Sequence, residues 1–312
     1  MNKDILNTIV QVARLYYEKD LSQQQIADRL GVSRSSIAKY LIQAREQGVV
    51  EIRVVDPSES NDNLSQAIKE QYHIDFAGVV PSSHKSLTLT LQAVGHAAAK
   101  YLTEHIKDGD KLGIAWGRST KSFVDQLSTQ DIDKENLEII PLMGESSNER
   151  IHTRMNQLVE RCAETVQGTP YFLFCPMIVD SKAFYSRIMS EEALRNIAFL
   201  WENLDWALMG IGALPPTRGM NSYVPEELLP DLRRKKAIGD ICCRYYDADG
   251  RIVKASFDDR IVAVGAKYLE RTKRVVGIAA GADKEKAVRG ALKTGLLSDI
   301  FIDQELASRI AD

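Results

Sequence analysis

Residues Gly117-Arg118-Ser119-Thr120 bring together, within one turn, the groups that bind a small anion. An apolar run at 112–116 precedes them and a helix-like stretch follows, so the turn should begin a helix, whose partial positive charge favours phosphate. Glycine lets backbone amides approach an anion closely, and Ser119 and Thr120 add hydroxyl donors. Arg118 could hold the same anion or point to solvent. A simple capping turn is the alternative interpretation of this single motif.

Three further loops place glycine after an apolar run in the same way. They are Gly144-Glu145-Ser146-Ser147, Gly210-Ile211-Gly212-Ala213 and Gly281-Ala282-Asp283-Lys284. Ligands of open α/β sheets bind beyond the carboxyl ends of the strands, where such loops meet. Lys284 would add a point charge to a bound anion. The four loops together favour a phosphate-bearing or otherwise anionic polar ligand.

Asp240 is the candidate acceptor for hydrogen bonds from sugar hydroxyls. It lies in AIGDICCRYYDADG, after a glycine and before a predicted buried strand and a turn at Asp249-Gly250. Capping the backbone of that segment is an equally open role. Asp240 and Lys284 could also form an acid/base pair, although a sugar site needs the same residue types. No histidine and cysteine cluster has zinc-ligand spacing, and no cofactor is expected.

The predicted strands and helices that carry these residues alternate along the chain. Apolar runs predict strands that are each followed by a loop or a helix-like segment, at 76–80, 112–116, 137–142, 206–211 and 275–279. Such alternation predicts an α/β domain with a mainly parallel, Rossmann-like sheet covered on both faces.

The first fifty residues predict a helix-turn-helix. A first amphipathic helix ends near Lys19-Asp20. Ser22 and Gln25 form a capping-box pattern for a short helix over 23–30. Gly31 can take the positive φ of a tight turn, and Ser33 caps a second helix that ends near Gln47. The spacing of Ala27, Gly31 and Ile37 is typical of two helices that cross at a steep angle.

In this motif the second helix enters the major groove of DNA. The residues that would project towards DNA are Ser33, Arg34, Ser35, Ser36, Lys39 and Tyr40. Arg34 is suited to a guanine edge, and the serines and Lys39 to phosphates. A solvated helix face is the alternative. Apolar and polar residues alternate over 49–57, as in a small strand or wing. Arg53 could contact the DNA backbone from there.

Composition limits the class of protein. The chain has 312 residues, 44% of them hydrophobic and 27% charged, with a net charge of −3. Residues 1–55 carry eight basic and six acidic side chains, the sign expected of a DNA-facing end. No run resembles a secretory signal or a membrane span, and the four cysteines lack paired spacing. These features predict a cytoplasmic protein with reduced cysteines and no membrane partner.

The chain should contain two domains and a connection. Residues 1–56 form the helix-turn-helix domain. Residues 57–72 form a linker and a helix, since 56–63 holds a proline and small polar residues and a helix should follow over 64–72. Residues 73–312 form the α/β effector domain.

Taken in this order, the motifs resemble the SorC family of bacterial transcriptional regulators, of the type that controls deoxyribonucleoside or central glycolytic genes. The likeness covers essentially the whole chain and rests on LSQQQIADRLGVSRSSIAKYL, GDKLGIAWGRST, MGIGA, AIGDICCRYYDADGRIV, GIAAGADKEKAVRGAL and IFIDQELA. The resemblance implies an effector domain related to sugar-phosphate isomerases and deaminases. It also implies a phosphorylated sugar as the signal and a homo-oligomer, often a tetramer.

Carried over by motif, the resemblance places the phosphate loop at Gly117, Ser119 and Thr120, with Lys284 and Asp240 as further contacts. Arg118 departs from the small or acidic residue expected at its position. Asn156, on the helix after the PLMG loop, is a further effector contact in this comparison.

Two functions fit the predicted site: a sugar-phosphate-responsive regulator that binds operator DNA, and a sugar-phosphate isomerase, deaminase or transferase. Four of the five histidines, His73, His84, His96 and His105, precede the phosphate loop, and only His152 follows a candidate site loop. An isomerase has no use for a helix-turn-helix. The sequence therefore favours a regulator that is not an enzyme.

Overall fold

The computed structural model describes residues 3–17, 19, 21–46, 48–50, 59–83, 86–130, 132–146, 154–215 and 224–311. The chain divides into two compact units, Met1–Asp56 and Pro57–Asp312.

The first unit is a small helical bundle. Its described helices are α1 (Lys3–Tyr17), α2 (Gln23–Leu30) and α3 (Arg34–Glu46). The core of this unit contains the fully buried side chains of Ile9, Val12, Ile26, Ile37 and Ala44. These positions recur at helical spacing, so each helix buries one apolar stripe against the other two.

Local hydrogen bonds fix the turn of the motif as the sequence predicts. The Gln25 amide donates to Ser22 Oγ at 3.3 Å, and the Ser22 amide donates to Gln25 Oε1 at 2.9 Å, which completes the capping box. Gly31 adopts a φ of 65°, and its amide donates to the carbonyl oxygen of Ala27. The Ser36 amide donates to Ser33 Oγ at 3.1 Å at the start of α3. The predicted helix-turn-helix is confirmed.

The second unit is built on ten described strands. They are β1 (Phe76–Val80), β2 (Lys111–Ile114), β3 (Glu138–Pro141), β4 (Thr169–Pro170), β5 (Trp206–Gly210), β6 (Gly212–Ala213), β7 (Gly239–Ile241), β8 (Arg244–Tyr246), β9 (Arg274–Ile278) and β10 (Asp299–Asp303). Seven strands form one sheet in the order β1-β10-β9-β5-β2-β3-β4, and every pair in it is parallel. Strands β6, β7 and β8 form a small antiparallel sheet. The predicted parallel α/β domain is confirmed.

The structure describes ten helices in the second unit. They are α4 (Glu59–Tyr72), α5 (Leu87–His105), α6 (Arg118–Leu127), α7 (Met155–Val166), α8 (Lys182–Met189), α9 (Glu192–Trp201), α10 (Leu229–Arg234), α11 (Ala266–Leu269), α12 (Glu285–Lys293) and α13 (Gln304–Ile310). All five residues of β10 are buried, which requires cover on both faces because successive side chains alternate in direction. Helix α4 begins at Glu59, five residues before the predicted start.

A tight hairpin interrupts the apolar segment around the adjacent cysteines. Ile241 pairs with Arg244, so Cys242 and Cys243 are the two residues of the turn between β7 and β8. Their φ values are 48° and 59°, a conformation that asparagine and glycine usually supply. Both side chains are buried, as the sequence predicts, but the turn itself was not predicted.

Candidate functional site

Three loops of the parallel sheet converge on one cavity, because parallel strands place their carboxyl ends at the same edge. The loops after β2, β5 and β9 contribute Trp116 to Ser119, Gly210 to Gly212, and Ala280 with Lys284. The β7–β8 hairpin adds Asp240 and Cys242, α5 adds Leu87 and Leu91, and Ala115 and Met143 complete the wall. The cavity therefore has one polar side and a largely apolar remainder.

The polar side begins at the N-terminus of α6. Gly117 is the N-cap residue, its φ is 145°, and it provides no side-chain hydrogen bond to the first turn. Only glycine adopts that backbone angle readily. Because no side chain closes the first turn, its amides and partial positive charge remain suited to an anion in the cavity.

Thr120 lies in the first turn of α6 with an unusual environment. Its side chain is fully buried, yet within the described part of the chain its Oγ1 has no hydrogen-bond partner. A buried hydroxyl in this condition costs free energy, so such groups usually meet a ligand or a water molecule. Ser119 lines the cavity, whereas Thr120 is not among the lining residues.

Lys284 supplies a positive charge from the other side of the cavity. It ends a short 3-10 turn after β9, and its Nζ donates to the carbonyl oxygen of Ile211 at 2.8 Å. Burial lowers the pKa of Lys284, the nearby Asp240 and Asp283 raise it, and Arg118 lowers it further. An incoming anion would favour the charged form of this lysine.

Asp240 fulfils one of its two predicted roles and is placed for the other. Its Oδ2 accepts a hydrogen bond of 3.0 Å from the Cys243 amide, so it stabilises the hairpin turn. It is also buried and lines the cavity. Gly212 pairs with it across β6 and β7, and a Cβ on Gly212 would lie 1.8 Å from Asp240 Oδ1. Glycine at position 212 therefore makes room for the carboxylate.

A second buried carboxylate, Asp303, holds the loop that carries Lys284. The Gly281 amide donates to Asp303 Oδ2 at 2.7 Å, and Ser82 Oγ donates to Asp303 Oδ1 at 2.6 Å. Ser82 Oγ in turn accepts the amide of Glu305 at 2.8 Å. Asp303 thereby ties the loops after β1 and β9 to the end of β10. This role was not predicted from the sequence, although an aspartate before the closing helix in IFIDQELA is a recognisable N-cap.

Besides Thr120, three predicted effector residues do not line the cavity. The side chain of Asn156 forms two hydrogen bonds with the backbone of Leu173. Its Oδ1 accepts from the Leu173 amide at 3.0 Å, and its Nδ2 donates to the Leu173 carbonyl oxygen at 3.3 Å. Gly144 packs against the backbone of residues 175–177, where a Cβ would lie 2.7 Å from the nearest atom. Gly281 follows the lining residue Ala280 and is held by Asp303. The structure thus gives Asn156 and Gly144 roles in packing, while Ser147 and His152 lie outside the described residues.

The helix-turn-helix unit presents most of its predicted DNA contacts to solvent. Ser33, Arg34, Ser35 and Lys39 are exposed, and Ser36 and Tyr40 are half-buried. Ser33 Oγ lies 2.8 Å from the hydroxyls of both Ser35 and Ser36, so the three serines form one cluster. The predicted wing and Arg53 fall outside the described residues.

A helix-turn-helix unit on the same chain as a parallel α/β unit with an anion-suited cavity defines the class of ligand-responsive transcriptional regulators. The chain belongs to the Sugar-bind family, described as "Putative sugar-binding domain", whose model matches residues 56–311. A helix-turn-helix family matches residues 11–43.

Individual relatives agree with this membership. The chain is 29% identical to the deoxyribonucleoside regulator of Bacillus subtilis, over 100% of this chain and 99% of the relative. It is also 29% identical to the sorbitol operon regulator of Klebsiella pneumoniae, over 98% of each chain. The solved structure of the full-length sorbitol operon regulator SorC superimposes with a TM-score of 0.78, at 28% identity and full coverage of both chains. The resemblance to SorC regulators is confirmed.

These relatives are transcriptional regulators, which supports the regulator over the sugar-phosphate enzyme for this chain. Among the helices that the structure describes, none is long and apolar enough to span a bilayer.

Proposed function

We propose that this regulator binds operator DNA through α3 and changes its DNA affinity when a phosphorylated sugar occupies the cavity. The regulated genes belong to a carbohydrate-utilisation operon, in keeping with the sorbitol operon and deoxyribonucleoside regulators that it resembles. The observation that carries the proposal is the meeting of the α6 N-terminus and the half-buried Lys284 in one cavity.

The phosphate lies at the N-terminus of α6. Backbone amides after Gly117 and the hydroxyl of Ser119 donate to it, and Lys284 gives a charged hydrogen bond from the opposite loop. Arg118, at the first position of α6, closes the phosphate from the solvent side. A small shift of the first turn brings the buried Thr120 hydroxyl into contact with the phosphate. The phosphate then becomes the hydrogen-bond partner of this hydroxyl.

The sugar extends from the phosphate towards the β7–β8 hairpin. Asp240 Oδ1 accepts hydrogen bonds from sugar hydroxyls while Oδ2 keeps its bond to the hairpin. Trp116 and Ile211 pack against the carbon skeleton of the sugar. This division of charge and apolar surface suits a small, partly apolar phosphate ester.

DNA recognition follows from the exposed N-terminal half of α3. Arg34 donates two hydrogen bonds to a guanine edge, while Ser33, Ser35, Ser36, Lys39 and Tyr40 contact phosphates and fix the orientation of the helix. Helix-turn-helix proteins bind paired half-sites, so the active species is a dimer or a larger homo-oligomer on a roughly palindromic operator.

The effector acts by differential binding. A sugar phosphate that binds one arrangement of the protomers more tightly shifts the population towards that arrangement. A coupling free energy of about 1–3 kcal/mol changes operator affinity by about 5- to 150-fold.

Thermal unfolding of the full chain with a panel of sugar phosphates tests the ligand. A true effector at about 100 times its dissociation constant stabilises the protein by about 2.7 kcal/mol. Thr120→Asp should abolish this stabilisation, and the exposed Thr129→Asp on the loop after α6 should keep it. Equal stabilisation by the unphosphorylated sugars would exclude the phosphate as the recognised group.

A further inference from the structure

Helix α3 carries a large apolar side chain on its exposed face. Among the α3 side chains that the structure describes, the exposed ones are Arg34, Ser35, Lys39, Ile42 and Arg45. Of these, Ile42 alone is apolar, and 46% of it is exposed. The other two large aliphatic residues of α3, Ile37 and Leu41, are buried in the core of the first unit. Ile42 therefore keeps an apolar surface in water that packing within the unit does not cover.

Ile42 lies in the middle of the face that would meet DNA. Successive residues of an α-helix are rotated by about 100°, so the arc from Arg34 to Lys39 covers about 140°. Ile42 falls about 80° from Arg34 and about 60° from Lys39 on this arc. The exposed Ser35 and Arg45 fall on the same arc, and the buried residues of α3 fall outside it, at positions 37, 41 and 44. The isoleucine thus belongs to the same side of α3 as the predicted DNA contacts.

The side chains around Ile42 indicate which kind of molecule covers it. Arg34, Lys39 and Arg45 are basic, and the one acidic residue in the sequence of α3 is Glu46, at its last position. A basic surround attracts the phosphates of DNA. Among the groups that base edges present in the major groove, the apolar one is the 5-methyl group of thymine. An exposed isoleucine at the centre of a basic helix face therefore matches a thymine in the groove.

We propose that Ile42 is a specificity-determining residue that contacts the methyl group of an operator thymine. This inference rests on the proposed binding of operator DNA through α3. Ile42 lies eight residues after Arg34, which is about 12 Å along the helix axis. Base pairs are stacked about 3.4 Å apart, so the thymine lies about three or four base pairs from the guanine that Arg34 contacts. Ile42 thereby adds a preference for an A·T pair that the hydrogen bonds of Arg34 do not supply.

Replacement of single operator thymines by deoxyuridine tests this contact, because deoxyuridine lacks only the 5-methyl group. The operator is selected from a random duplex library with the full chain, and affinities are measured by fluorescence anisotropy at one salt concentration. At the contacted position the replacement should weaken binding of the wild-type protein about fourfold, the factor for one buried methyl group. Ile42→Ala should bind the thymine operator at least about fourfold more weakly than the wild type. The deoxyuridine replacement should then weaken this variant no further.

Leu6→Ala is the matched control, because Leu6 is also an exposed aliphatic residue of the first unit, at 37%, but lies on α1. This variant should keep the operator affinity and the full effect of deoxyuridine. The proposal is overturned if deoxyuridine weakens Ile42→Ala by the same factor as the wild type. A selected operator in which no thymine replacement weakens wild-type binding would also overturn it. If no specific operator can be selected, the proposed DNA binding itself fails, and the contact fails with it.

Discussion

The ammonium of Lys284 donates a hydrogen bond of 2.8 Å to the carbonyl oxygen of Ile211, so the loops after β9 and β5 are joined across the cavity. Burial lowers the pKa of this lysine, and the neighbouring Asp240 is the largest influence that opposes the shift. A bound phosphate would oppose it further, since an anion favours the charged amine. Binding of the proposed phosphate and protonation of Lys284 would therefore be linked.

This linkage predicts a pH-dependent effector affinity. The pKa of Lys284 lies below the usual lysine value of about 10.4. The affinity for the effector should therefore fall as the pH rises through that lowered pKa. At lower pH the amine is charged and affinity should level off until the phosphate itself gains a proton near about pH 6. Calorimetric titrations from pH 6.5 to 10 would show the fall, with proton uptake on binding at the alkaline end. Lys284→Met should bind weakly with no alkaline fall, and an unchanged alkaline profile in that variant would contradict the linkage.

Thr120→Val should separate stability from ligand binding. The substitution removes the buried hydroxyl that has no partner among the described residues, while it keeps nearly the same volume. We expect the ligand-free protein to gain about 1 kcal/mol, because the desolvation cost of the hydroxyl disappears. Effector affinity should fall several-fold. Chemical denaturation with and without ligand measures both quantities. A destabilised ligand-free variant would mean that the hydroxyl already has a partner.

Asp303→Asn should weaken effector binding without any change in the cavity lining. The amide cannot accept from both Gly281 and Ser82, so one donor loses its partner and the loop that carries Lys284 is less fixed. A loss of about 1–3 kcal/mol in unfolding free energy is expected. A double-mutant cycle with Lys284→Met distinguishes positioning from general damage. Strong coupling for ligand binding supports positioning, and additive effects argue against it.

Arg34→Ala should reduce operator affinity by about 1–3 kcal/mol and relax preference at one base pair. Lys39→Ala, in contrast, should weaken binding to all sequences. It should also reduce by about 1 the steepness with which the logarithm of the binding constant falls with the logarithm of the salt concentration. Fluorescence anisotropy with the operator and with single-base variants separates the two outcomes. Equal losses on every sequence for Arg34→Ala would show that this arginine contacts only the DNA backbone.

Local sequence signals predicted much of the framework. Ser22, Gln25 and Gly31 determine the helix-turn-helix through contacts within a few residues, so their spacing was sufficient. Apolar runs likewise located the central strands, since strands buried on both faces are nearly continuous in hydrophobicity.

Features that depend on distant contacts were not predictable in the same way. Asp303 acts on Gly281 and Ser82, which lie 22 and 221 residues away. Asn156 matched a family position, but its amide is satisfied by Leu173, a partner that no local pattern reveals. The turn between β7 and β8 was not predicted, because Cys242 and Cys243 are apolar residues in a conformation usually taken by asparagine or glycine.

The proposed regulatory step is a change in the affinity of the protein for DNA when a sugar phosphate occupies the cavity. Its most direct test is the affinity of the full chain for an operator selected from a random duplex library, measured with and without the sugar phosphate that stabilises the protein. We expect a change of at least about 5-fold, which Thr120→Asp abolishes while ligand-free operator binding stays intact. An operator affinity that is unaltered by a saturating ligand, or chemical turnover of that ligand, would contradict this account.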